Sequence, residues 1–246
     1  FIYMFLMSFT ESRTLRLNLA EVDFTNFENF IYIFQNSGFL QAFVNSVVVV
    51  IASCVLNVII SCMAAYGFEK KLFPGRNFIF QIYMVSLMIP GQVTMIPLFV
   101  IMKNLGLLNT RTALVITMIE AFSVFLVKQF MNGVPDELIE SAQVDGCPEY
   151  RIFIQIVMPL LKPVIVTLVV FTFISAWNDF LWPLIAATET EHYTLIVALS
   201  VLKTQYSVNY GLIMAGSLIT FIFPFILYIF LQKQFVQGIA LGGVKG

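Results

Sequence analysis

Apolar positions along this chain gather into long runs, and polar positions into a few short islands between them. After a stub at 1–9, apolar stretches cover roughly 40–67, 78–102, 112–131, 161–186 and 209–232. Each is near the ~20 residues an α-helix needs to cross a hydrocarbon core. The pattern predicts an all-α, polytopic membrane helix bundle with five complete spans. The opening F-I-Y-M-F-L-M-S-F lacks an initiator methionine and reads as the trailing end of a truncated first span. Residues 10–39 form a polar external segment in which F-x-x-F-x-x-F-I-Y-I-F predicts a short helix lying at the interface.

The most structured polar island runs from Pro135 to Pro159, P-D-E-L-I-E-S-A-Q-V-D-G-C-P-E-Y-R-I-F-I-Q-I-V-M-P. Pro135 suits a first helical position, and Asp136 and Glu137 suit the positive end of the helix dipole. Gly146 supplies a left-handed stop. Pro148 and Glu149 repeat the start signal, and Phe153, Ile156 and Leu160 follow at helical spacing. Two short helices meeting at a sharp turn are predicted, with Pro159 and Pro163 marking re-entry into the bilayer.

Within the spans, Ala42, Ser46, Ser53, Asn57 and Ser61 fall on one face of 40–67. Such a stripe either packs closely against another helix or lines a wet path. A second stripe, Thr167, Phe171, Ser175, Asn178 and Trp182, mixes hydroxyl, amide and aromatic groups as sugar recognition requires. Trp177 and Trp182 equally suit an outer aromatic belt, with Asp179 beside them. Glu120 falls near the middle of 112–131, where insertion scales assign an acidic residue a cost of about 2.5–3.5 kcal/mol. It should face a cavity or a partner subunit, or be carried protonated or hydrogen-bonded. Pro90-Gly91-Gln92 and Pro97 interrupt 78–102 and make Gln92 and Thr94 further pathway candidates. Gly211 and Ala215 permit a close helix approach, expected against a second subunit.

Composition supports this class. The chain is 59% hydrophobic and 11% charged, with a mean hydropathy of +0.91, against about 45–50% apolar and ~25% charged in soluble domains. A formal net charge of -1 offers no basic field for nucleic acid. Cys54 and Cys62 lie about 12 Å apart along one predicted helix, too far to bridge. His192 is the single histidine, read as a solvated loop residue, so no metal cluster is predicted. With no G-x-S-x-G element, a membrane hydrolase lacks a triad. Lys and Arg counts orient the bundle. Lys70, Lys71, Arg76, Lys128, Arg151, Lys162, Lys233 and Lys245 share the side of the Glu140 island, against Arg13, Arg16, Lys103, Arg111 and Lys203 opposite. That side is read as cytoplasmic.

The island resembles the EAA loop of ABC-importer permeases, with pattern Glu-Ala-Ala, three residues, Gly, nine residues, Ile-x-Leu-Pro. Glu140, Ser141, Ala142, Gly146, Ile156, Met158 and Pro159 stand in register. Ser141 for Ala and Met158 for Leu are the two departures. M-I-P-G-Q-V-T-M-I-P-L-F at 88–99, W-N-D-F-L-W-P-L at 177–184 and Q-G-I-A-L-G-G-V-K-G at 237–246 are similar to the carbohydrate (maltose-type) subfamily, in particular the subunit with a Gly-rich tail. The resemblance implies a type I importer transmembrane domain over 40–236, with the loop at 135–159 and a cytoplasmic tail at 237–246. It implies a second permease as heterodimer partner, two ATPase subunits, an extracytoplasmic sugar-binding protein and a bacterial or archaeal inner membrane. Glu140, Ser141, Ala142, Asp145, Gly146, Ile156 and Pro159 would couple to the ATPase, and Gly242, Gly243 and Lys245 would touch it through the tail. Ser53, Asn57, Gln92, Glu120, Ser175, Asn178 and Asp179 are the pathway candidates. The chain carries no G-x-x-x-x-G-K-[ST] sequence, so ATP and Mg are expected on the partner ATPase, with no cofactor and no catalysis on this chain. The alternative is a proton-coupled secondary transporter using Glu120 and Asp179.

Overall fold

The computed structural model describes residues 1–36, 38–206 and 209–243, with side chains as far as 229. No strand occurs among the described residues, as the apolar runs predict. The chain opens with α1 (Ile2–Met7) and reaches α2 (Glu28–Asn36), the short helix expected from the phenylalanine run. Next come α3 (Phe39–Lys70), α4 (Arg76–Ser86), α5 (Gly91–Asn104), α6 (Arg111–Ile116) and α7 (Ala121–Met131). Then follow α8 (Asp136–Val144), α9 (Glu149–Leu160), α10 (Lys162–Asn178), α11 (Leu181–Ala186), α12 (Leu195–Gln205) and α13 (Tyr210–Gly243).

Two described helices are long and apolar enough to span a membrane, α3 and Tyr210–Ile229 of α13. Other apolar runs are broken. α4 and α5 meet at 105° and α9 and α10 at 78°. The first bend falls where Pro90 cannot donate to the preceding turn, as expected. Pro97 was expected to break the run as well but sits inside α5. The 112–131 run divides into α6 and α7, with Glu120 extended at the N-terminal boundary of α7 (φ -107°, ψ 143°). The 161–186 run divides at Asp179 and Phe180.

α3 is organised inside out. Leu40, Val44, Ile51, Val55, Ile59 and Met63 recur at spacings of four or seven residues and are all at least two-fifths exposed, while Ala42, Ser46, Ser53, Asn57 and Ser61 are buried. Small and polar groups let neighbouring backbones come close, and apolar groups face outward, the arrangement membrane helices favour. Of the two readings of this stripe, the structure realises close packing.

The chain forms two compact units. The first comprises Phe1–Val49, Met102–Leu114 and Ala176–Phe230. In it Phe9 gathers Phe5, Phe24, Phe27 and Phe30, with ring centroids 5.2–5.6 Å away. Gly211 answers a different need from the one its spacing suggested. A Cβ there would stand 1.8 Å from the Thr10 carbonyl oxygen. Its missing side chain admits the N-terminal segment of the same chain, and Ala215 is fully buried. Asn29 Nδ2 fixes that segment by donating to the carbonyls of Ser8 (3.0 Å) and Thr10 (2.9 Å). Both tryptophans are interior rather than belt residues. Trp177 stacks on Phe223 at 4.7 Å and donates to the Thr220 carbonyl, and Trp182 donates to the Ala113 carbonyl.

The second unit comprises Val50–Ile101, Val115–Ser175 and Leu231–Gly246. Its core joins Cys62, Ala65 and Tyr66 of α3 to Val127 and Met131 of α7, Ile139 and Ala142 of α8, Ile152 and Val157 of α9, and Val164 and Leu168 of α10. The polar island is thus seated on the same core as the apolar helices.

Candidate functional site

The island folds as a helical elbow. Pro135 (φ -61°, ψ 132°) precedes α8 rather than opening it, so Asp136 takes the first helical position. The same one-residue offset holds at Pro148 and Glu149 in α9. At the far end of α8, Gly146 adopts φ 76°. Its N–H donates to the Gln143 carbonyl at 3.0 Å and the Cys147 N–H to the Ala142 carbonyl at 2.9 Å. This paired closure satisfies two carbonyls that a helix end leaves open, and it needs a left-handed residue at its corner. No atom lies within 4 Å of where a Gly146 Cβ would stand, so the glycine is required by conformation and not by space.

α9 widens to π-helix over Ile152–Val157. Pro159 lacks the N–H that would close on the carbonyl four residues back, and a wider turn is one way a helix absorbs that loss. Ile152 and Val157 are fully buried, Ile156 is half-buried and Pro159 is exposed.

α8 has two faces. Ile139 and Ala142 are buried in the core, whereas Glu140, Ser141 and Asp145 are exposed. Leu138 (44% exposed), Val144 (88%), Tyr150 (60%) and Ile154 (58%) add open apolar surface on the elbow. The Ser141 hydroxyl donates to the Glu137 carbonyl at 2.7 Å. It turns back onto its own helix, and this explains how serine stands where the pattern has alanine.

The end of α3 holds both arms of the elbow. Lys70, its side chain only 5% exposed, places Nζ 2.6 Å from the Val134 carbonyl and 2.7 Å from Asp136 Oδ1. Lys71 Nζ lies 2.5 Å from Glu149 Oε1, and the Tyr66 hydroxyl donates to the same carboxylate. The Tyr66 ring also meets Phe153, centroids 5.2 Å apart. The Lys71 ammonium, together with the Tyr66 hydroxyl, holds the Glu149 carboxyl below the ordinary glutamate range. A third pair, Lys128 Nζ to Glu69 Oε2 at 2.6 Å, joins α7 to the same turn. Sequence reasoning used these lysines only to set orientation. Their pairing with Asp136 and Glu149 was missed, although Glu69-Lys70-Lys71 at a span's end beside an acidic loop is a usable signal.

The pathway candidates separate by burial. Asn57 Nδ2 donates to Ser123 Oγ (2.9 Å) and Thr172 Oγ1 (2.8 Å), and the Ser61 hydroxyl donates to Asn57 Oδ1 (3.0 Å). Asn57 therefore ties α3 to α7 and α10 rather than facing open space. Ser53 is buried and its Oγ has no hydrogen-bond partner among the described residues. Gln92, Glu120, Ser175 and Asn178 are exposed and Asp179 is half-buried. Thr94 is exposed, but its hydroxyl is taken by the Gly91 carbonyl at 2.8 Å. Glu120 belongs to the second unit and Asp179 to the first. Thr167 and Trp182 are buried, so only Phe171, Ser175 and Asn178 of the second stripe are open. Gly242 and Gly243 end the described part of α13, and Lys245 lies outside the described residues.

Comparison with known proteins agrees with this architecture. The family model for binding-protein-dependent transport system inner membrane components matches residues 57–240. The chain is 41% identical over 221 residues to the arabinooligosaccharides transport system permease protein AraQ of Halalkalibacterium halodurans, covering 89% of this chain and 79% of that one. It is 34% identical over 220 residues to the lactose transport system permease protein LacG of Rhizobium radiobacter, covering 89% and 80%. The fold matches a chain in the crystal structure of a bacterial ABC transporter involved in import of the acidic polysaccharide alginate. The TM-score is 0.81 at 24% identity, over 94% of this chain and 88% of that one. The proton-coupled alternative finds no support in these comparisons. This chain belongs to the family of binding-protein-dependent transport system inner membrane components, as a multi-pass, non-catalytic membrane subunit of an ABC transporter that has other subunits.

Proposed function

We propose that this chain is one permease of an ATP-driven oligosaccharide importer, forming half of the translocation pathway and receiving force from a cytoplasmic ATPase through the Glu140 elbow. The observation that carries the reading is a short helix that exposes Glu140, with Asp145 exposed at its C-cap, while Ile139 and Ala142 lock it into the core of the second unit. A short helix fixed in this way presents a stiff projection that a partner cleft can push.

In this reading Glu140 meets a basic residue of the ATPase. Ser141, Ala142 and Gly146 set the shape of the projection, and Ile156 and Pro159 carry its motion into α10. Gly242, Gly243 and Lys245 reach toward the ATPase from the tail. ATP and Mg are bound by two ATPase subunits, and a second permease completes the pathway. An extracytoplasmic binding protein delivers the substrate, in keeping with the family description. The excess of Lys and Arg on the elbow side supports a cytoplasmic elbow and C-terminus. Oligosaccharides are the substrate class that AraQ and LacG suggest. Gln92, Ser175, Asn178 and Asp179 supply hydroxyl, amide and carboxylate groups suited to sugar hydroxyls, and Glu120 adds a carboxylate at the break between α6 and α7. Asn57 serves packing instead, tying α3 to α7 and α10.

Charge reversal is the test. In the complex carrying Glu140→Arg, the ATPase is expected to co-purify poorly and uptake of arabinotriose or lactose to fall at least about tenfold, the scale of losing a charge-assisted contact. Normal co-purification together with normal uptake overturns the coupling role.

A further inference from the structure

The elbow touches the rest of the second unit through apolar packing and through three polar residues at the C-terminal end of α3, Tyr66 and Lys70 within its last turns and Lys71 just past it, and those three do different work from the packing. Lys70 reaches only the start of α8, at Asp136 and the Val134 carbonyl. Lys71 and Tyr66 reach Glu149 at the start of α9, and the Tyr66 ring also meets Phe153 in the same arm. Both arms are therefore gripped at their N-terminal ends, by residues clustered at the C-terminal end of one helix. Thirteen residues earlier on that helix, about 20 Å away at 1.5 Å per residue, Asn57 grips α7 and α10.

We infer that Tyr66, Lys70 and Lys71 are positioning residues that clamp both arms of the elbow to α3, so that displacement of the elbow is delivered to α3 as well as along the chain into α10. The inference rests on the coupling role proposed above and adds a second route for the force, one that sequence continuity does not provide. Two features favour a clamp over incidental surface pairing. Lys70 is buried along its stem and satisfies a backbone carbonyl as well as a carboxylate, a geometry that fixes position far better than an exposed pair. Glu149 receives both an ammonium and a phenol, so its arm is held from two directions.

The assay uses the whole complex, reconstituted with its ATPase, partner permease and binding protein. The readout is ATP hydrolysed per arabinotriose or lactose imported. A merely structural defect lowers both quantities together and leaves their ratio fixed. Lys71→Met and Glu149→Gln are each expected to raise the ratio roughly threefold, the scale of one partly exposed ion pair. Lys70→Met is expected to raise it about tenfold, because a buried carbonyl also loses its donor. Lys71→Arg should restore the wild-type ratio, and Lys71→Met/Glu149→Gln should be no worse than the worse single variant. The clamp is overturned if the ratio stays at the wild-type value in all three single variants, or if the double variant multiplies the two single effects. Each preparation is first checked for ATPase content. Loss of the ATPase from the wild-type complex would instead defeat the coupling role itself.

Discussion

α3 carries two polar anchors in the same unit, and they are built from different chemistry. At its middle, Asn57 uses a neutral amide against two hydroxyls, all of them buried. At its end, Lys70 and Lys71 use full charges against carboxylates that are half or more exposed. The difference follows from access to water. In an apolar interior a full charge carries a desolvation cost that an amide avoids, whereas at a helix end a lysine stem lies along apolar surface while its partner stays solvated. The middle anchor fixes how helices pack, and the end anchor fixes how a projection is carried.

The sharpest way to break the contrast is to put the end's chemistry into the middle. Asn57→Asp places a carboxylate among buried groups and removes both donated hydrogen bonds. A loss of about 3 kcal/mol is expected, read as collapse of folded yield and of Tm in detergent. Lys70→Met, at the other anchor, leaves the Val134 carbonyl without its donor and should cost about 1–3 kcal/mol. Salt separates the two anchors further: raising ionic strength should lower Tm through the end pairs in wild type and have less effect in the Lys70→Met/Lys71→Met background.

Gly146→Ala tests the elbow's corner rather than its anchors. The space is open and φ is 76°, so only backbone strain is added, about 1 kcal/mol, with a modest fall in Tm. The smallest effect concerns pH. The Glu149 carboxyl is held below its unfolded value by Lys71 and Tyr66, so its stabilisation is complete above the unfolded value of about 4.3. It fades as pH falls through the lower folded value. The group is half exposed and screened, so no more than about 1 kcal/mol is at stake. The Tm difference between wild type and Glu149→Gln should be full at neutral pH and shrink as pH falls through the lowered folded value. A difference that grew on acidification would break the assignment.

The elbow was legible in the sequence because its signals are local. Acidic residues after a proline, a glycine nine residues past Glu137, and a second proline with an acid all act within a few residues of where they lie. The anchors were not legible, since Lys70 meets Asp136 and Lys71 meets Glu149 across long separations in sequence that no periodicity reports. Hydropathy also ran through the breaks at Thr117–Glu120 and Asp179–Phe180, because averaging over a window hides a few residues of irregular backbone. Asn57 was readable as part of a stripe, and burial decided between its two roles. Gly211 was readable as a close approach, but the partner is the Thr10 backbone of the same chain.

The inside-out organisation of α3 has one more consequence. Rolling the helix about its own axis would drag Asn57 off its hydroxyl partners and swing the bulky outward leucine, valine and isoleucine row into a seam closed by small residues. Pivoting the helix as a rod opposes neither, so levering is the inexpensive movement left to it.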